Sequence, residues 1–221
     1  MRSVLLLVLL PLAACAVPPP RAVTAPAAPA SRAARAADRP LEADEYSLYE
    51  LLAPDSAQFH IVYEVTAIDP GATVFFNPIR KGSVATDESV RDRATSQALP
   101  FEAVSGEEAR RSGLPDADLG MGYIRIHLPR PVPKEGGIRL LIEKTYKDPK
   151  SYRREGADRI TFFRTLGIRR NAIVLPAGYE VISCNVPAQI LSGKDGRLKV
   201  SLMHTGPDAL PVEIKARRLA K

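Results

Sequence analysis

From Ser56 onward the chain alternates between apolar and polar positions. In Gln58 to Ile68, Phe59, Ile61, Tyr63, Val65 and Ala67 interleave with His60, Val62, Glu64 and Thr66. That is the period of a strand with one face turned inward. Asp69-Pro70-Gly71 predicts a turn, and Thr73 to Phe76 a returning strand. Short strands are predicted again at Val84, Val90 to Asp92 and Leu99 to Val104. Met121 to Leu128 alternates strongly, with Ile124, Ile126 and Leu128 opposite Tyr123, Arg125 and His127. After Pro129, Pro131 and Pro133, Gly136-Gly137 turns the chain into Ile138 to Tyr146.

Lys147 to Asp158 (KDPKSYRREGAD) reads as a polar, basic loop. Strands are predicted beyond it at 160–165, 171–175, 179–185, 189–191, 198–203 and 212–216. Lys194-Asp195-Gly196-Arg197 is a hairpin signal, because Asp-Gly suits a type I′ turn. Helix is predicted in two places only. Leu48, Leu51 and Leu52 fall at helical spacing within Leu41 to Ala53, with Asp44 as a cap, and Ser105 to Gly113 reads as one exposed turn. About ten short strands with frequent turn residues predict an all-β fold, an antiparallel β-sandwich or barrel-like single domain over residues 41–221.

The first forty residues belong to another regime. Arg2 gives a small positive start, and Val4 to Leu10 is an unbroken apolar run, too short to span a bilayer as a helix and suited to a signal peptide. Leu12-Ala13-Ala14-Cys15 then resembles the bacterial lipobox. The resemblance implies a signal peptide over residues 1–14, cleavage before Cys15, a diacylglyceryl thioether on its sulfur and an acyl chain such as palmitate on its new amino group. Two or three chains hold a protein at a membrane far longer than one. Residue 16 is Ala rather than Asp, which by resemblance to enteric lipoprotein sorting points to the outer membrane, periplasm-facing. Residues 15–40 are dominated by Ala and Pro and are expected to form a disordered linker with no core of their own.

Charge is unevenly distributed behind a net +6. Residues 42–118 carry six basic and fifteen acidic side chains, and residues 119–221 carry twenty basic and nine acidic. Within the basic half, Lys144, Lys147, Lys150, Arg153, Arg154, Arg164, Arg169 and Arg170 are interleaved with Tyr146 and Tyr152. Clustered cations beside aromatic rings form a candidate anion-binding site. An anionic envelope polymer or a protein is the expected partner besides the membrane, and the compartment argues against nucleic acid.

His60, His127 and His204 lie on different strands with no pair at ligand spacing, so no metal or other cofactor is expected. With Cys15 lipidated, Cys184 has no partner for a disulfide and reads as a buried thiol on the face of Ile182. No Gly-x-Ser-x-Gly elbow occurs. Tyr146 to Lys150 matches Tyr-x-x-x-Lys in spacing, but Pro149 prevents the shared helix face that pair requires.

YIRIHLPRPVP and GGIRLLIEKTY in mid-chain are similar to strands of the N-terminal β-domain of M1-type aminopeptidases, over about 100 residues. The resemblance implies a fold and no peptidase activity, since no His-Glu-x-x-His occurs. The expectation is therefore a lipid-anchored binding or scaffolding module, with an envelope hydrolase or a structural subunit of an envelope assembly as alternatives.

Overall fold

The computed structural model describes residues 45–220. Residues 1–14, expected as a signal peptide, Cys15, the Ala/Pro-rich stretch over residues 15–40 and residues 41–44 lie outside the described residues. Fourteen strands are described, in three sheets, with one short α-helix and a 3-10 turn over Pro54–Ser56.

The largest sheet is built around two long strands. β2 (Gln58–Ala67) and a strand over Ile138–Lys147 pair antiparallel over ten positions, from Gln58 opposite Lys147 to Ala67 opposite Ile138. On the other side of β2 lies β1 (Tyr46–Leu51), where a helix is predicted from Leu48, Leu51 and Leu52. The observed period is two: Ser47, Tyr49 and Leu51 are buried, while Leu48 and Leu52 are only half-buried. Three leucines in a short window cannot decide between periods, and pairing on both edges satisfies the backbone as a strand.

The next elements are β3 (Val74–Ile79), β4 (Val84–Asp92), β5 (Phe101–Ser105), α1 (Gly106–Arg111), β6 (Gly122–His127) and β7 (Ile138–Lys147). β4 joins the two short strands expected near Val84 and Val90, across a bulge between Thr86 and Ser89 where Asp87 takes a positive φ. Ser105 caps α1 through a capping box with Glu108. Gly106 is required there, since a Cβ would sit 2.1 Å from the Asp118 carbonyl oxygen.

The segment expected as a basic loop contains β8 (Tyr152–Glu155), an edge strand held by Tyr152 opposite Phe162. After it come β9 (Arg159–Leu166), β10 (Arg170–Val174), β11 (Tyr179–Cys184), β12 (Gln189–Ser192), β13 (Leu198–Met203) and β14 (Leu210–Arg218). The β12–β13 hairpin forms at the expected residues, but only Gly196 takes a positive φ. Its N–H donates to Gly193 O, and Gly193 N–H donates to Arg197 O, so the turn is not the expected type I′. In β11 a register shift between Val181 and Ser183 breaks the alternation. Ile182 is exposed, and Cys184 is half-buried against the core rather than sharing a buried face with Ile182.

The sheets run β12-β13-β10-β1-β2-β7-β4, β11-β14-β9-β8 and β3-β6-β5. All pairs are antiparallel except β1 with β10, which is parallel. Two apolar cores share one face of the seven-stranded sheet. Phe59, Tyr49, Tyr146 and Leu51 pack with Phe162, Ile160, Val212 and Ile214 of the four-stranded sheet. Val65, Leu140 and Ile142 pack with Ile124 and Ile126 of the three-stranded sheet. The fold is thus an all-β, layered sandwich with one layer split in two.

Candidate functional site

The split in that layer leaves a gap over the middle of the large sheet, and two buried cations face it. On β7 the inward file runs Ile138, Leu140, Ile142, Lys144, Tyr146, so Lys144 holds a core position in phase with its apolar neighbours. On β9 the inward file runs Ile160, Phe162, Arg164, Leu166, and Arg164 does the same. Lys144 is 4% exposed and Arg164 7%. Together they line a cavity of about 330 Å³. Its floor is Tyr49, Ile61, Tyr63 and Tyr146 of the large sheet, and its walls come from Asn77 to Arg80 and from Thr165 to Ile168. Exposed Thr165 and Gly167 lie on its rim.

Lys144 Nζ donates to Asn77 Oδ1, the one hydrogen-bond acceptor described for it, and stands 5.1 Å from the centroid of the Tyr146 ring. Burial first, and then the neighbouring Arg164 charge, hold its ammonium down to about 8 from an ordinary 10.5. Arg164 lies among three rings, its Cζ 5.5 Å from Tyr49, 5.4 Å from Phe59 and 5.5 Å from Tyr146. Phe59 and Phe162 meet edge to face at 5.7 Å beneath it. Burial and the Arg164 charge also lower Arg80, whose backbone N–H donates to the Tyr146 hydroxyl at 3.3 Å. Burial raises the Tyr146 hydroxyl, so it stays neutral at ordinary pH.

The nearest described carboxylate to Arg164 is Asp148, with Oδ2 3.6 Å from Arg164 Nη1. That carboxylate is already occupied. Oδ2 accepts from Ser151 Oγ at 2.6 Å and Ser83 Oγ at 3.2 Å, and Oδ1 accepts from the Lys150 and Ser151 amides at 3.1 Å each. Burial pushes the Asp148 carboxyl up, but the bonds from Ser151 and Ser83 and the Arg164 charge hold it below the usual range. Arg164 Nη1 is left buried without a hydrogen-bond partner.

The eight cations grouped from the sequence are therefore not one surface. Lys144 and Arg164 point into the cavity, whereas Lys147, Lys150, Arg153, Arg154, Arg169 and Arg170 are exposed. Arg153 pairs with Glu155 at 2.9 Å, Arg154 pairs with Asp55 at 2.8 Å, and Arg170 Nε donates to Glu45 O at 3.3 Å. Asn77, Tyr49 and Arg80, which complete the cavity, were not singled out from the sequence. Asn77 alone carried a signal, as a buried amide in the apolar-aromatic stretch VFFNPI. The histidines lie apart: His60 is 3.7 Å from Glu143, His127 is 2.9 Å from Glu102, and His204 contacts the Asp208 carbonyl. Among the described residues no helix is long and apolar enough to cross a membrane.

No protein-family model matches the chain, and no curated protein does. Among solved structures, the chain is similar to an M1 zinc metallopeptidase from Deinococcus radiodurans, with a TM-score of 0.50 at 8% identity, over 79% of this chain and 42% of that one. A variant of a two-domain M1 zinc metallopeptidase bound to L-tryptophan aligns with a TM-score of 0.48 at 8% identity, over 80% of this chain and 43% of that one. The chain spans less than half the length of either enzyme. At this identity the likeness to M1-type enzymes is one of fold and carries no activity with it.

Proposed function

We propose that this chain is a lipid-anchored envelope protein, held in the outer membrane through Cys15 and facing the periplasm, and that it works as a binding module whose ligand seat is the cavity over Lys144 and Arg164. The observation that carries the reading is a cavity lined by two almost fully buried cations, Lys144 with one described hydrogen-bond acceptor and Arg164, whose Nη1 stands 3.6 Å from Asp148 without a hydrogen bond. A buried donor left unmade costs about 1–3 kcal/mol. Two cations held in files that are otherwise apolar oppose stability, and a ligand that completes their hydrogen bonds accounts for their presence. The anchor rests on the Leu12-Ala13-Ala14-Cys15 pattern.

Both halves are testable on the chain extracted from its own membranes. Cys15→Ala should release it from a salt-washed membrane fraction, and retention of the variant there would refute the anchor. Native mass spectrometry of the gently extracted protein should show a small bound species that Lys144→Met loses. A protein that never carries such a species, and that binds nothing when offered an envelope extract, would refute the module. A subunit of an envelope assembly is the second reading, favoured by the β12 edge, where all four residues are exposed, Ile190 and Leu191 included.

A further inference from the structure

We propose that the cavity takes one small organic oxyanion, a phosphate or carboxylate group carried on a compact apolar body, with the anionic head between Lys144 and Arg164. This rests on the binding-module reading and names its ligand class. Lys144 Nζ has three donors, and one is used by Asn77 Oδ1. Arg164 lines the same space and brings its guanidinium charge to it, while its enclosed Nη1 stands 3.6 Å from Asp148. Asp148, the acidic group nearest Arg164, has its oxygens committed to Ser83, Ser151 and Lys150. Arg80 adds a third positive charge to the same wall. Three cations thus line a space with no carboxylate among its lining residues, and a guanidinium beside an ammonium matches an oxyanion in charge.

The rest of the lining sets the body of the ligand. Ile61, Tyr63, Met121 and Leu166 face the cavity and present apolar surface. At about 330 Å³ the space is at the small end of ligand pockets, so it accommodates a single ring or a short chain beyond the head group. A space of this size suits a small molecule, which separates this site from the exposed cations of Lys147 to Arg154.

Phenyl phosphate, benzoate and inorganic phosphate are the probes, titrated calorimetrically into the full chain in detergent. Phenyl phosphate or benzoate should bind one to one, and the better of the two identifies the head group. Lys144→Met carries the test, because it removes charge where charge is costly and leaves the Arg164 ring contacts in place. It should weaken binding by about tenfold or more, as loss of a hydrogen bond to a charged group does. The double variant Lys147→Glu/Lys150→Glu, confined to exposed residues, should bind like the parent. Three results would each overturn the proposal: no saturable binding of either organic probe, equal binding by Lys144→Met, or inorganic phosphate held as tightly as phenyl phosphate. A neutral native ligand found by mass spectrometry would overturn the oxyanion class and leave the module reading standing.

Discussion

Replacing Lys144 with methionine should make the protein more stable at neutral pH, and the gain should vanish in alkali. In the unfolded chain this lysine titrates near its ordinary 10.5, and in the fold, chiefly through burial, at about 8. Below pH 8 both states are protonated, and the folded state bears the whole cost of the buried charge. That difference corresponds to about 3 kcal/mol. Between pH 8 and 10.5 the folded protein sheds the proton while the unfolded chain keeps it, so the cost shrinks and parent stability rises with pH. Methionine has a similar length and no charge, so the variant escapes the cost throughout, while the Asn77 Oδ1 it leaves without a donor offsets part of the gain equally at every pH. The assay is urea denaturation of parent and variant, followed by circular dichroism at several pH values from 7 to 10, compared at equal urea dependence. Tyr46, Tyr63, Tyr146 and Tyr152 are all raised by burial and weaken the fold only above pH 10, beyond the range of the assay. Parent and variant should differ by up to about 3 kcal/mol at pH 7 and converge towards pH 10. A difference that stays constant across that range, or a variant less stable at pH 7, would refute the reasoning.

Asn77→Leu should destabilise the protein by about 1–3 kcal/mol at pH 7, because it strips the acceptor from a buried ammonium; the same urea titration checks it, and Lys144→Met should suppress much of the effect. Gly106→Ala should cost about 1–3 kcal/mol, since its methyl group would meet the Asp118 carbonyl at 2.1 Å and force α1 away from the backbone of Asp118 and Leu119; thermal melts would show it. Arg164→Lys should keep the charge but lose the planar stacking on Tyr49, Phe59 and Tyr146, weakening phenyl phosphate binding while the Lys144 titration persists.

Strands buried on one face were legible in the sequence. β2, β6 and β7 alternate over six to ten residues, and their apolar files identify the inner face of each. β1 was not legible, because its second polar face packs partly as well and Leu48 and Leu52 imitate a helical period. β8 was hidden by composition: in KDPKSYRREGAD only Tyr152 enters the core, and pairing with β9 does the rest. Nor could the parallel pairing of β1 with β10 be read, since it joins segments far apart in the chain. The cations of the site could have been found by phase. Lys144 follows Ile138, Leu140 and Ile142 at intervals of two, and Arg164 follows Ile160 and Phe162 in the same way. Grouping them by proximity in sequence with Lys147 to Arg154 placed two core cations among surface ones. The gap between the smaller sheets depends on how they dock, which no local pattern encodes.

Whether the cavity is an oxyanion seat is tested most directly by the nitrogen resonance of Lys144 Nζ, followed by NMR against pH with and without saturating phenyl phosphate. In the free protein it should titrate near 8, and with the ligand its midpoint should move up towards the ordinary 10.5, because a bound anion favours the charged ammonium. A midpoint at the ordinary value in the free protein, or one that phenyl phosphate leaves unmoved, would contradict it.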